Sequence, residues 1–210
     1  VEGLSAAGKT SWCKQNFPEL TVWESAIPEG GPNRKTDPAF ASKYWAAMNA
    51  GRWAEALLAE AKQGLAVCDT DPFKLHYAFS LWQVGAMPKW DWEFEVEIHR
   101  ELFVSGQIGF ADRYFVLIPD EQTLESRMTG DTTRERKSFD LHSKLGPSLE
   151  TWYQAVDSLE SGRVTWGFPE SIGVEELITS TPRQDRSDIQ LFERLIAALP
   201  TSATGLRSSP

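Results

Sequence analysis

The sequence has little cysteine. Only Cys13 and Cys68 occur in 210 residues, and no C-x-x-C motif or Cys/His cluster is present. Two cysteines do not make a disulfide framework, and this spacing argues against a structural zinc site. We therefore predict two buried free thiols and a reducing, cytoplasmic compartment.

The sequence also lacks an excess of basic residues and any long apolar run. Its formal net charge is −9, which argues against nucleic acid as a partner. No apolar run approaches about 18 residues, so we predict no membrane-spanning segment. The length and the ordinary hydrophobic share suit a single domain, and nine Trp residues supply aromatic area for a core or a pocket.

A phosphate-loop motif opens the chain. The stretch from Gly3 to Thr10 fits the pattern G-x-x-x-x-G-K-[ST]. Small residues let successive backbone N–H groups point at an anion, and the following helix start adds partial positive charge. Lys9 would reach the β- and γ-phosphates, and the Thr10 hydroxyl would contact Mg²⁺. The alternative is a chance match in a turn of small residues. Such a loop follows a whole strand, so we expect that the sequence is clipped at its N-terminus or that its start site was misplaced.

Strand-like runs alternate with helix-like runs along the rest of the chain, which predicts a parallel sheet flanked by helices. The later strands are predicted at 20–23, 65–68, 114–118 and 164–166. A long helix is predicted from a cap at Thr36 or Asp37, and Gly51 is expected to break or bend it.

Acidic residues follow the predicted strands, and such strand ends share one crevice in a parallel sheet. Asp69 is predicted to hold Mg²⁺ beside Thr10, although it could instead cap a helix. Asp71 could cap while Asp69 faces the metal, and we also place Asp71 at the substrate. Glu24 is either a solvated turn residue or the base that takes the acceptor proton, with Asp69 as its competitor.

Aromatic residues and arginines complete the candidate site. The side chains that could stack on a flat acceptor, or could equally be core, are Tyr44, Trp45, Phe73, His76 and Tyr77. Arg127, Arg134 and Arg136 bracket a polar segment. They predict a lid that carries guanidinium groups to phosphates, the alternative being a solvated charged loop.

These motifs resemble the P-loop kinases of the deoxynucleoside kinase and thymidylate kinase group, with relatives among bacterial ATPases of that superfamily. VEGLSAAGKT is similar to their E-G-x-x-x-x-G-K-[ST] loop, and residues 114–153 resemble their strand, L-x-x-R helix, arginine lid and following helix. VCDTD, at 67–71, resembles their acidic motif, but Thr70 stands where that family has Arg. Glu24 stands where the deoxynucleoside kinases place a base.

The resemblance implies a three-layer α/β fold with a mainly parallel five-stranded sheet, helices on both faces and an arginine-bearing lid at about 127–139. The kinase domain would span 1–200, followed by a flexible tail at 201–210. The expected activity is ATP- and Mg²⁺-dependent phosphoryl transfer to a small molecule, a nucleoside or nucleotide first. An antibiotic or small-alcohol phosphotransferase and a non-kinase ATP-binding module are the alternatives, and a homodimer stays open. The nucleotide-binding residues would be Gly3, Ser5, Ala6, Ala7, Gly8, Lys9, Thr10, Ser11 and Arg127.

Overall fold

The computed structural model describes residues 1–25, 30–34, 36–130, 139–181 and 185–203. The strands in this part of the chain are β1 (Glu2–Gly3), β2 (Thr21–Val22), β3 (Val67–Cys68), β4 (Tyr114–Leu117) and β5 (Val164–Trp166). The helices are α1 (Lys9–Asn16), α2 (Pro38–Gln63), α3 (Leu75–Gln83), α4 (Lys89–Val104), α5 (Glu121–Gly130), α6 (Phe139–Ser143), α7 (Gly146–Leu159), α8 (Val174–Ser180) and α9 (Ile189–Ala198). The predicted α/β class is confirmed.

The sheet is parallel and consists of two parts. One part has the order β1-β4-β5 and the other pairs β2 with β3, and each of these pairs is parallel. Val1 joins the two parts, because its ammonium group donates to the Cys68 carbonyl at 2.9 Å and its carbonyl accepts from the Thr70 N–H at 3.1 Å. The spatial order is therefore β2-β3-β1-β4-β5, with β1 and its loop at the centre.

Both faces of the sheet are covered. Along β4, Tyr114 and Val116 belong to a large apolar cluster, whereas Phe115 belongs to a smaller one. Successive side chains of a strand point to opposite faces, so the two clusters lie on opposite sides of the sheet. The larger cluster contains side chains from α3, α4, α7 and α9, and the smaller one contains side chains from α1 and α8.

The helix boundaries follow from local signals. Asp37 caps α2, since its side chain accepts from the Phe40 N–H at 3.0 Å, and Pro38 follows at the first turn. The helix then continues through Gly51 without the predicted break and ends at Gly64, which has a φ of 80°. Burial of one face of α2 outweighs the low helix propensity of a single glycine. Helices α6 and α7 follow one another closely, and Pro147 lies in the first turn of α7.

The larger cluster is centred on aromatic rings. Phe73 is fully buried, and its ring centroid lies 4.9 Å from that of Phe103 and 5.2 Å from that of Phe110. Trp152 and Phe192 pack at 5.6 and 6.0 Å from the same ring. We predicted Phe73 at the substrate, but the structure places it in this core.

Replacing Phe73 with alanine is expected to lower the free energy of unfolding by about 3–5 kcal/mol, because the change removes apolar contacts and leaves a cavity. Urea unfolding followed by circular dichroism measures this loss. Phe40→Ala is the matched control, since the Phe40 side chain is 57% exposed on α2. Equal midpoints for the two variants would contradict the core position of Phe73.

Two further sequence-based expectations concern the thiols and the membrane. Cys13 is buried and Cys68 is half-buried, both are free, and burial raises the pKa of each thiol to about 11. Neither is therefore a thiolate near neutral pH.

No helix in the described ranges has the length and apolar character needed to cross a bilayer. The tail predicted to be flexible lies largely outside the described residues, which end at 203.

Candidate active site

The loop between β1 and α1 is a tightly curved turn. The Ala7 N–H donates to the Leu4 carbonyl at 3.1 Å, and Ala6 and Gly8 have φ values of 70° and 97°, in the left-handed region. The first helical bond runs from the Trp12 N–H to the Gly8 carbonyl at 2.9 Å, so the N–H groups of the preceding turn have no intrahelical acceptor. This geometry suits an anion at the start of α1.

Gly3 is required by a close approach between β1 and β4. A Cβ atom at this position would lie 2.2 Å from the Leu117 carbonyl oxygen and 3.0 Å from the Ala7 Cβ atom. Any larger residue would push the phosphate loop away from the neighbouring strand. The first glycine of the motif is therefore explained by packing.

Lys9 extends across the loop. Its Nζ atom donates to the carbonyls of Gly3 at 2.6 Å and Leu4 at 3.0 Å, and it lies 3.9 Å from Glu2 Oε1. The side chain is 14% exposed, so its charge is partly desolvated. A phosphate group in the loop would meet this ammonium directly.

Thr10 and Asp69 meet at the predicted metal end. The Thr10 hydroxyl donates to Asp69 Oδ2 at 2.7 Å, and Asp69 Oδ1 is a buried oxygen without a hydrogen-bond partner among the described residues. A hydroxyl and a carboxylate with a spare oxygen fit Mg²⁺, which keeps several waters and takes few protein ligands. No cluster of three His, Cys, Asp or Glu side chains in the described part of the chain could hold a metal by itself. Phosphate oxygens and water would complete the coordination.

Arg52 fixes the backbone behind Asp69. The side chain is buried in α2, and it donates to the carbonyls of Trp23 at 3.1 Å, Asp69 at 2.7 Å and Thr70 at 2.9 Å. It therefore connects the carboxyl ends of β2 and β3. Sequence reasoning missed Arg52, because its spacing on α2 is that of an ordinary helix residue.

Glu2 is a buried carboxylate below the loop, and it was read from the sequence only as part of the motif string. Its side chain accepts from the N–H groups of Gly3 at 2.8 Å and Asp71 at 3.0 Å, and it lies 3.3 Å from His76 Nε2. Burial alone would raise the pKa of Glu2, but His76, Lys9 and Lys74 lower it well below its usual range. Glu2 thus stays ionised and connects the start of the loop at Gly3 to the backbone at Asp71, which follows β3.

Asp71 lies behind the cleft and does not line it. Its Oδ1 accepts from the Phe73 N–H at 3.0 Å and its Oδ2 accepts from the Tyr153 hydroxyl at 3.1 Å. Burial raises the pKa of this carboxyl to about 6, with a further increase from the nearby Glu2 charge. Asp71 thus closes the turn before α3 and does not cap that helix, because Lys74 is at its N-cap position and no side chain caps it. Asp71 also does not line the cleft where contact with substrate was predicted.

Glu24 and Lys74 both line the cleft and form an ion pair. Burial raises the pKa of Glu24, but Lys74 more than offsets this effect, and the net pKa lies below its ordinary value. Glu24 stays close enough to solvent, at 46% side-chain exposure, to meet a ligand. Lys74 was not among the predicted site residues.

The aromatic candidates are divided between the cleft and other places. Tyr77 and His76 line the cleft, and the Tyr77 oxygen lies 3.1 Å from His142 Nε2. Burial lowers the pKa of His142, and the charges of Lys74 and Lys9 lower it further, so this ring is neutral at pH 7. Tyr44 and Trp45 pack edge to face with a centroid separation of 5.1 Å on α2 and do not line the cleft in the described structure.

The arginine prediction is only partly covered by the structure. Arg127 lies on α5 and donates from Nη1 to the Ala7 carbonyl at 2.7 Å, so one guanidinium touches the phosphate loop. Arg134 and Arg136, with most of the predicted lid, lie outside the described residues.

These groups surround one open cleft of about 1150 Å³, large enough for a nucleotide and a second small molecule. All eight residues of the motif line it, with Glu24 and Arg127. The cationic side chains on its described walls are Lys9, Lys14, Lys74 and Arg127, and the carboxylates are Glu2 and Glu24. A cleft with excess positive charge in a chain of net charge −9 favours an anionic ligand.

Comparisons with models of protein families and with curated proteins found no match to this chain.

Proposed function

We propose that this chain is an ATP- and Mg²⁺-dependent kinase that transfers a phosphoryl group to a small-molecule hydroxyl, with nucleosides as the first acceptors to test. The observation that carries the proposal is the shared cleft. Lys9, Thr10 and Glu24 all line it, and Asp69 lies behind Thr10, whose hydroxyl donates to it. The groups that would bind a triphosphate, Lys9 and Thr10, thus share a cleft with a carboxylate, Glu24, that would suit an acceptor hydroxyl.

Each group has one task in this reaction. The N–H groups at the start of α1 and the Lys9 ammonium would hold the β- and γ-phosphates and stabilise charge as it develops. Thr10 and Asp69 would hold Mg²⁺, which supplies charge neutralisation and orients the phosphate oxygens. Arg127 stands beside the loop, where it would add a second cation.

The bonds and the proton of the transfer step are all accounted for by ATP, the acceptor and Glu24. The acceptor oxygen forms a bond to the γ-phosphorus, and the bond from that phosphorus to the β–γ bridging oxygen breaks. ADP leaves with that oxygen, and the acceptor proton passes to a Glu24 carboxylate oxygen. No further reactant is needed.

Acceptor-dependent release of ADP tests the proposal. Purified protein is incubated with ATP and Mg²⁺, and ADP is measured alone and with deoxynucleosides, ribonucleosides, aminoglycosides and small polyols. We expect one class to raise ADP release well above the rate with ATP alone. Slow hydrolysis that no acceptor stimulates would instead support a nucleotide-binding module, and stimulation by an aminoglycoside or polyol alone would support an antibiotic or small-alcohol kinase.

The metal end gives a separate prediction. A non-hydrolysable ATP analogue should raise the melting temperature, and Mg²⁺ should increase that shift, because the complex binds only the folded state. Asp69→Asn should abolish the Mg²⁺-dependent part and leave the part due to the analogue alone. Asp37→Asn, at the exposed cap of α2, is the control. An undiminished Mg²⁺ increment in Asp69→Asn would exclude Asp69 from the metal site.

A further inference from the structure

The ion pair between Lys74 and Glu24 joins two segments of the chain at the wall of the cleft. Lys74 precedes the first residue of α3, and Glu24 follows β2, fifty residues earlier in the chain. The Lys74 side chain is 27% exposed and that of Glu24 is 46% exposed, so the pair is partly removed from water at the cleft wall. Both side chains also line the same cleft.

The backbone that presents Lys74 is held firmly. The Lys74 N–H donates to the Pro72 carbonyl at 2.8 Å, the Phe73 N–H donates to Asp71, and the Phe73 ring is fully buried beside it. The Lys74 side chain therefore leaves a rigid turn and reaches Glu24 from a fixed origin. Such support from packed neighbours is what a preorganised site needs.

Lys74 supplies a positive charge close to the acidic motif at 67–71, which has no cationic residue of its own. Thr70 lies between Asp69 and Asp71, is buried, has a φ of 73° and carries no charge. Its hydroxyl points into the protein, without a hydrogen-bond partner in the described structure. The next cationic side chain after the acidic motif is Lys74, and it lines the cleft.

Charged and titratable groups from several elements surround Glu24. Lys74 and Tyr77 face it from the start of α3, Lys9 from α1, Glu2 from β1 and His142 from α6. Of these, Lys74 alone makes a direct contact with the Glu24 carboxylate in the described structure. Lys9 acts in the same direction from farther away, while Glu2 opposes it.

We infer that Lys74 is a positioning residue, which holds Glu24 ionised and directed into the cleft so that it can accept the proton of the acceptor hydroxyl. The effect of Lys74 on turnover rests on the proposed kinase function. The effect of Lys74 on the ionisation of Glu24 does not depend on that function. Without Lys74, the carboxylate is partly desolvated and loses its neighbouring cation, so it binds a proton at higher pH. A base works only in its ionised form, so the acidic limb of the pH–rate profile must then move to higher pH.

The first experiment measures the contact without any acceptor. Carboxyl-labelled glutamate is followed by NMR across pH, and the Glu24 signal is assigned by its loss in Glu24→Gln. In Lys74→Met we expect the pKa of Glu24 to rise by about one unit or more, the usual effect of a cation at this range. Lys74→Arg should titrate like the native protein. Lys89→Met should do so too, since Lys89 pairs with Glu93 on the exposed side of α4. Unchanged titration in Lys74→Met would overturn the inference.

The second experiment measures the consequence with ATP, Mg²⁺ and the acceptor found by ADP release. Lys74→Met should shift the acidic limb of kcat to higher pH by about one unit, with KM for ATP unchanged. Glu24 is ionised in both proteins at neutral pH, so a loss of kcat there reports lost positioning of the carboxylate. If Lys74→Met raises only the KM of an acceptor that already carries phosphate, such as a nucleoside monophosphate, Lys74 binds that phosphate and the inference is overturned. A shifted Glu24 signal with no turnover of any acceptor would overturn the proposed kinase function and leave the ion pair's effect on Glu24 established.

Discussion

Replacing Lys9 with methionine is expected to lower kcat by about 10²-fold or more, because the pocket loses a fixed charge aimed at the transferring phosphoryl group. Methionine keeps a side chain of similar length without the ammonium. Lys9 sits within hydrogen-bond distance of two loop carbonyls, so its charge is already at the loop before nucleotide binds. This preorganisation means that the loss falls on turnover more than on ATP binding.

The control for Lys9→Met must separate charge at the loop from overall charge. Lys89→Met removes one positive charge from an exposed ion pair on α4, and it should retain native turnover. Because the Lys9 bonds also support the loop, urea unfolding of both variants is needed to show that each is folded under assay conditions. A folded Lys9→Met protein with native kcat would exclude this loop from catalysis.

Glu24→Gln is expected to lower kcat by about 10²-fold, while ATP binding stays nearly intact. General base catalysis contributes roughly that much, and glutamine keeps the size of the side chain but cannot take up the proton. Steady-state ADP release gives kcat, and the thermal shift with an ATP analogue reports binding. Glu93→Gln, which removes an exposed carboxylate from the Lys89 pair, is the matched control.

Asp69 is the competitor for this role, and the structure sharpens the comparison. Asp69 accepts from Thr10 and is buried, whereas Glu24 is nearly half exposed at the cleft. Full turnover in Glu24→Gln, together with loss of turnover in Asp69→Asn at unchanged ATP affinity, would reverse the assignment and make Asp69 the base.

The sequence predicts the parts of this protein whose signal is local. The phosphate-loop motif needs specific small residues in order, and the strand-end acids follow apolar runs that are easily seen. Thr10, Asp69 and Glu24 were predicted from such positions. In the structure Thr10 and Glu24 line one cleft and Asp69 contacts Thr10, while their roles stay predictions. The P-loop kinase fold remains a prediction, because the structure by itself shows an α/β sheet with helices on both faces.

The sequence does not predict features that depend on the direction in which a side chain points. Phe73 and Tyr77 are four residues apart, yet one is fully buried in the core and the other lines the cleft. Composition does not separate them, because an aromatic ring suits both environments. Glu2, Arg52 and Lys74 were missed for a related reason: each acts through a partner that is distant in sequence.

Arg52 has a consequence for redesign of the acceptor site. Its single guanidinium holds the carbonyls at the ends of β2 and β3, just beside Glu24 and Asp69. The relative position of these two strand ends is thus set by a buried side chain that does not line the cleft. Under the proposed kinase function, a mutant library confined to the cleft positions Tyr77, Ser80 and His142, with Arg52 kept constant, would vary the accepted alcohol while the two strand ends stay in place.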